Sequence, residues 1–214
     1  MSERDGGDRE RLATGVDGLD EALGGGLPAG DLVVLVAPPT SGAERLLYAF
    51  GAENPTRYCS TLRPPAEVHG AMAAVDLPEG AVDVRRVDGD GLLDDPADHL
   101  SGLDAGSAVV IDPATELERA GEDRYRSFLD DLKRHCRTTE SAAVLHCPRT
   151  TPRTLRRDLT LARADTTLVL HREVDSEGSR SYLDVGKFRH GLPPAEPIPV
   201  DLRRRPTTLD GWGV

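Results

Sequence analysis

The chain has 214 residues, enough for one domain with a sizeable core. It carries 37 acidic against 26 basic residues, a net charge of −11, and only Lys133 and Lys187 among its basic residues are lysines. No apolar run reaches membrane-spanning length, the charged start MSERDGGDRERLA has no apolar h-region, and three cysteines make no disulfide framework. These features exclude a helical membrane protein, a signal-peptide start and a disulfide scaffold, and they point to a cytoplasmic protein.

The elements follow in chain order. Residues 1–11 are polar and read as a loose arm. Residues 17–23 form a predicted short helix, with Leu19 and Leu23 on one face and Gly24-Gly25-Gly26 as its stop. The continuous apolar run 32–36 predicts a strand buried on both faces. A helix is predicted over 43–50, a strand over 57–62 and a helix over 65–75, started by Pro65. Residues 82–87 alternate as a strand does. The acidic stretch 88–106 reads as turns. Residues 108–111 form a buried strand ending in Asp112, 122–137 a helix with Phe128, Leu129 and Leu132 inward, and 142–145 another buried strand. Strands alternating with helices predict an α/β fold with a mainly parallel sheet. Residues 166–174 and 181–188 flank the turn Asp175-Ser176-Glu177-Gly178 and read as a hairpin, with one more strand over 198–202. The expected organisation is an arm (1–11), one domain (12–205) and a tail (206–214) that carries Trp212.

The segment from Thr14 to Glu44 reads TGVDGLDEALGGGLPAGDLVVLVAPPTSGAE. Thr14-Gly15, Leu19-Asp20, Leu23, Gly24-Gly25-Gly26, Leu27-Pro28 and Gly30 run straight into a buried strand. That entry, with the order of the later elements, resembles the RecA superfamily, nearest to its KaiC-like and archaeal RadA-like branch. The likeness covers about residues 12–202 and implies a RecA-like P-loop NTPase fold with a C-terminal hairpin. The Arg-rich, Lys-poor, acidic composition likewise resembles that of proteins from salt-loving archaea. On this reading the acidity describes the solvent rather than a partner.

The resemblance also locates the residues where chemistry would sit. A P-loop needs Gly-x-x-x-x-Gly-Lys-Ser/Thr: backbone N–H groups cradle phosphates, Lys neutralises them and the hydroxyl holds Mg²⁺. Here the eight positions are Ala37, Pro38, Pro39, Thr40, Ser41, Gly42, Ala43 and Glu44, so Lys is Ala43 and the hydroxyl is Glu44. The family's second strand ends in glutamates, one of which activates water; Leu62 and Arg63 stand there instead. Asp112 matches the Walker B carboxylate, which orients Mg²⁺-bound water in active relatives. His146 stands where relatives keep a polar sensor. The resemblance therefore implies no catalytic residue and no cofactor, with ATP and Mg²⁺ expected only if the loop works in an unorthodox way.

Other residues admit two readings each. Asp112 serves either as a surviving catalytic group or as a polar strand end that bonds a neighbouring loop. Lys187 and Arg189 match the family's Lys-x-Arg motif, which reaches a neighbouring subunit's nucleotide, or are ordinary salt-bridge partners. Arg149, Arg153, Arg156, Arg157 and Arg163 lie where recombinases carry a DNA-binding loop. The plainer reading makes them the outer face of a helix that buries Leu155, Leu159 and Ala162, and no aromatic is interleaved for stacking. His135-Cys136 and His146-Cys147 fit no standard zinc spacing, and Cys59 and Cys147 read as core residues. Asp88-Gly89-Asp90-Gly91 lacks the ligands of a calcium loop. The function expected is a catalytically degenerate regulatory or scaffold subunit, partnered by itself or an active RecA-like relative. The alternatives are an ATPase in signalling or DNA repair, and a DNA-binding recombination accessory.

The charge balance makes one outcome measurable. Diluting salt lengthens the screening distance from ~3 Å at 1 M to ~10 Å at 0.1 M, so surface repulsion grows. Circular dichroism melts across a KCl series should show the melting temperature falling on dilution. A flat or rising series would remove the halophilic reading.

Overall fold

A computed structural model describes residues 10–75, 82–176, 178–203 and 206–208. The elements in order are β1 (Arg11–Leu12), α1 (Asp17–Ala22), β2 (Leu27–Pro28), β3 (Leu32–Ala37), α2 (Glu44–Glu53), β4 (Thr56–Ser60), α3 (Pro65–Ala73) and β5 (Val82–Arg86). Then come α4 (Gly89–Asp94), α5 (Pro96–Leu100), β6 (Ala108–Asp112), a 3-10 turn (Leu117–Arg119), α6 (Glu122–Thr138), β7 (Ala142–Pro148) and α7 (Arg157–Arg163). The chain closes with β8 (Thr166–Asp175), β9 (Gly178–Phe188), β10 (Ile198–Asp201) and β11 (Thr207–Thr208).

Nine strands form one sheet in the order β11-β10-β9-β8-β3-β7-β6-β4-β5. Pairing is parallel from β8 through β3, β7, β6 and β4 to β5, and antiparallel from β8 outward to β11. β3 sits at the centre, and that explains its LVVLVA sequence: a strand covered on both faces has no solvent side to make polar. One face packs on α1, α2 and α3 through Leu19, Leu47, Phe50 and Val68. The other packs on α4, α5 and α6 through Leu92, Leu100, Phe128 and Leu132. The predicted mainly parallel α/β fold with its C-terminal hairpin is therefore what the chain adopts.

Three expectations need correction. The segment 88–106 is not only turns, because α4 and α5 lie in it. The acids are the reason: Asp88 accepts from the Gly91 N–H at 3.0 Å and Asp95 from the Asp98 N–H at 3.0 Å, each capping a helix start. Asp90 and Asp94 then both pair with Arg124 of α6. Of the expected arm, residues 1–9 lie outside the described residues, and Arg11 belongs to β1, which pairs with β2 as a separate two-stranded ribbon. Its guanidinium donates to the carbonyls of Leu23 (2.7 Å) and Gly26 (3.1 Å), stapling the end of α1. Third, the helix after β7 does not bury Leu155, Leu159 and Ala162 as one face. It begins at Arg157 and turns Arg157 and Thr160 inward, while Leu155 is 75% exposed. Trp212 and Arg204-Arg205 lie outside the described residues.

The entry motif has a steric cause. Gly15 has φ +75°, and a Cβ on it would stand 2.6 Å from the Ala49 carbonyl oxygen of α2. The positive φ favours glycine, and the contact is with backbone that cannot swing aside. Gly15→Ala should cost about 2 kcal/mol or more. Gly70, within α3 with nothing near its Cβ position, is the control: Gly70→Ala should add ~0.5–1 kcal/mol by restricting the unfolded chain. Chemical denaturation midpoints check both signs.

Candidate functional site

In a parallel sheet, side chains at the carboxyl ends of the strands face the crevice where such folds place ligands. Here β3, β4, β6 and β7 end together, and each delivers one piece. β3 ends at Ala37 and passes through Pro38–Ala43 into α2. Within that loop the Ser41 N–H (3.0 Å) and Oγ (2.6 Å) both donate to the Pro38 carbonyl. Gly42 takes φ +75°, and Ala43 is buried. From β8, Arg172 Nη1 donates to the Thr40 carbonyl at 2.7 Å, and Arg45 of α2 donates to the Leu202 carbonyl. A cavity of about 610 Å³ opens between this loop and β8–β10, with Arg45, Arg172 and Arg203 in its wall. It does not reach Asp112.

Asp112, at the end of β6, is 3% exposed. Its Oδ1 accepts from His146 Nδ1 at 2.6 Å, and its Oδ2 accepts from Arg63 Nη2 at 2.9 Å and from the Tyr58 hydroxyl. Tyr58 comes from β4, His146 from β7, and Arg63 from the turn after β4. That turn is fixed by Ser60, whose Oγ accepts the Arg63 N–H (3.0 Å) and donates to the Arg63 carbonyl (2.8 Å). Tyr48 of α2 lies against the group, its ring 6.0 Å from that of Tyr58. His146 Nε2 is buried without a partner among the described residues.

Burial by itself would raise the Asp112 pKa. The hydrogen bond and charge of His146, the Tyr58 hydroxyl and the Arg63 guanidinium outweigh it, so the carboxyl is held below the usual range. Burial, followed by the Asp112 charge, pushes the Tyr58 phenol well up, which keeps it a neutral donor. The site is thus an ionic cluster that satisfies the Asp112 carboxylate: one carboxylate, one guanidinium and two aromatic donors.

The remaining candidates fall elsewhere. Leu62 points out, 62% exposed. Lys187 Nζ donates to the carbonyls of Leu161 (3.1 Å) and Ala162 (3.2 Å), and Arg189 to those of Ala164 (3.2 Å) and Ala162 (3.1 Å). Both therefore cap the end of α7, where cations also suit the helix dipole. Of the five arginines read as standing where a DNA-binding loop would lie, Arg157 is not on the surface. It is 3% exposed and grips Glu118 with two bonds, Nε–Oε1 at 2.7 Å and Nη2–Oε2 at 2.9 Å. Thr160 Oγ1 donates to the same carboxylate at 2.6 Å. A buried glutamate needs such a fork, and nothing near Glu118 or Arg157 in sequence announced the pair. Arg153 pairs with Asp158 at 2.9 Å, Arg156 is half-buried, and Arg149 is exposed. Among the described residues no group of three or more His, Cys, Asp or Glu could hold a metal, and Cys59, Cys136 and Cys147 are free and buried.

The Asp112 cluster has a definite pH signature. Its folded pKa is depressed, so its stabilisation is present above the unfolded value of ~3.9 and is lost as pH falls through the folded one. Asp112→Asn should destabilise by about 2–4 kcal/mol at pH near 7 by leaving Arg63 unpaired. The gap to wild type should shrink below a pH of about 4. Melts at both pH values check this; a constant gap would mean that the charge on Asp112 does not matter.

With this geometry in view, three comparisons place the chain. None of the curated proteins compared matches it. The crystal structure of a KaiC-like protein from the hyperthermophilic archaeon Pyrococcus horikoshii superposes with a TM-score of 0.78 at 17% identity, covering 94% of this chain and 100% of that one. At that identity the likeness is one of fold: a KaiC-like, RecA-type domain. A family model matches residues 11–210, and the chain belongs to that family, a family of unknown function (DUF7125).

Proposed function

We propose that this protein is a RecA/KaiC-like domain that no longer hydrolyses ATP and works as a regulatory or scaffold subunit through protein–protein contact. One observation carries the reading: the Arg63 guanidinium bonds Asp112 at 2.9 Å. In a working relative that carboxylate orients water on Mg²⁺. Here an internal cation already neutralises it, and a dication brought to the same oxygen would face a positive charge.

The loop supports the same reading. Phosphate cradles are built from backbone N–H groups. Pro38 and Pro39 have none, and that of Ser41 is spent on Pro38. Ala43 and Glu44 offer neither the positive charge nor the hydroxyl, and Glu44 opens α2 with a carboxylate. That acid suits the helix dipole and repels a triphosphate. The residues present do not fit Mg-ATP, and no step of hydrolysis is assigned to them. Lys187 and Arg189 are not needed in this reading either, because reaching a neighbour's phosphates would break four hydrogen bonds to α7. The composition supports a cytoplasm of high salt, and the entry motif supports the KaiC/RadA-like branch. The partner is then a second copy of this chain or an active RecA-like relative. A nucleotide-binding ATPase with an unorthodox loop is the competing reading.

ATP turnover and Mg-ATP titration in multimolar KCl decide between them. The expected result is no hydrolysis and no binding at the loop. A micromolar dissociation constant that weakens when Thr40–Gly42 are altered would overturn the proposal.

A further inference from the structure

The end of the molecule opposite the Asp112 cluster carries a cleft of about 590 Å³ between the last turns of α6 and α7. Lys133, Arg134 and Arg137 line it from α6, Arg163 from α7 and Arg189 from beyond β9. Among the described residues, Asp130 is the one acidic residue in its wall. This is a positive island on a chain of net charge −11.

Most of these cations have local duties. Lys133 pairs with the buried Asp165 at 2.7 Å and donates to the Arg163 carbonyl at 3.1 Å. Arg163 pairs with Asp130, Arg134 with Asp131, and Arg189 caps α7. Arg137 differs: it is exposed and has no hydrogen bond or ion pair among the described residues. Nor is it needed as a helix cap. In the last turn of α6 the Arg134, His135 and Cys136 carbonyls are already taken by the Thr138 and Thr139 hydroxyls and by the N–H groups of Thr139 and Ser141, and the Arg137 side chain caps none of them. Five cations face the three carboxylates Asp130, Asp131 and Asp165, so the cleft keeps a surplus of positive charge. Burial first, then Arg189, hold the ammonium of Lys187 below the usual lysine range.

We propose that this cleft binds a compact polyphosphate group, two or more phosphoryl units in a row, with Arg137 as its principal anchor. Arginine forks match phosphate oxygens in pairs. The volume is that of a small-molecule site. Among the described residues no aromatic side chain lines the wall, so a base has nothing to stack on and the phosphoryl groups carry recognition. Arg134 and Arg137, three apart on α6, project to the same side and grip adjacent groups. The ligand stabilises the fold by mass action.

The test titrates inorganic pyrophosphate and tripolyphosphate into the full chain by calorimetry, at the lowest salt that keeps its circular dichroism intact. Both should bind, with orthophosphate weaker by about tenfold or more. Arg137→Gln should weaken binding by about tenfold, and R134Q/R137Q should remove it. Arg119→Gln, on a distant exposed ion pair, should leave it unchanged. No binding by either probe, or affinities untouched by Arg137→Gln, would overturn the site. Tighter binding of a single-stranded oligonucleotide or an acidic peptide than of tripolyphosphate would overturn the compact ligand. Mg-ATP titrated into R134Q/R137Q keeps this question apart from the loop: heat that persists belongs to the loop and counts against the dead-pocket reading. Heat that vanishes belongs to this cleft.

Discussion

A carboxylate shut in at the end of a central parallel strand must be neutralised from inside the chain. Asp112 is that carboxylate, and the crevice end of the sheet is arranged around it. β4 supplies Tyr58, β7 supplies His146, and the turn after β4 supplies Arg63. Removing any one would leave a buried charge or a buried donor short of a partner, which costs more than the bond itself is worth. The cluster therefore ties together three strands, β4, β6 and β7, and the turn after β4.

The second buried ion pair follows the same rule on the other face of the sheet. Glu118 enters the core from the 3-10 turn after β6 and is met by Arg157, Thr160 and the Cys147 thiol. This fixes the start of α7 and the path of the segment after β7. One arginine of that segment is turned inward and spent on structure. Together the two pairs hold the loops at the carboxyl end of the sheet, and both use arginine: Arg157 meets Glu118 through two bonds at once, Arg63 meets Asp112 through one.

The acidic surface and its basic island are linked by the same electrostatics. Many exposed acids have work close by: Asp88 and Asp95 cap helices, and Asp90 and Asp94 clamp Arg124 between α4 and α6. At the far end of the sheet the α7 carbonyls attract Lys133, Lys187 and Arg189. Helix ends thus explain most of the charge placement, and Arg137 stands out because no helix end requires it.

The sequence by itself determined the sheet. Buried strands read as continuous apolar runs because both faces are covered, and the glycines of the entry motif read as punctuation because their φ values and backbone contacts admit little else. Helix starts at 88 and 95 were written there too, as aspartates at capping positions, but their acidity masked them as a loop. What only the tertiary structure decided is which charges meet. Arg63 and Asp112 are 49 residues apart, and Arg157 and Glu118 are 39 apart. No local pattern separates an arginine destined for a buried carboxylate from one that stays in water, because the difference lies in the desolvation of its surroundings. That is why Arg157 read as a surface residue and Arg63 as a mere loss, until the folded chain brought each to its partner.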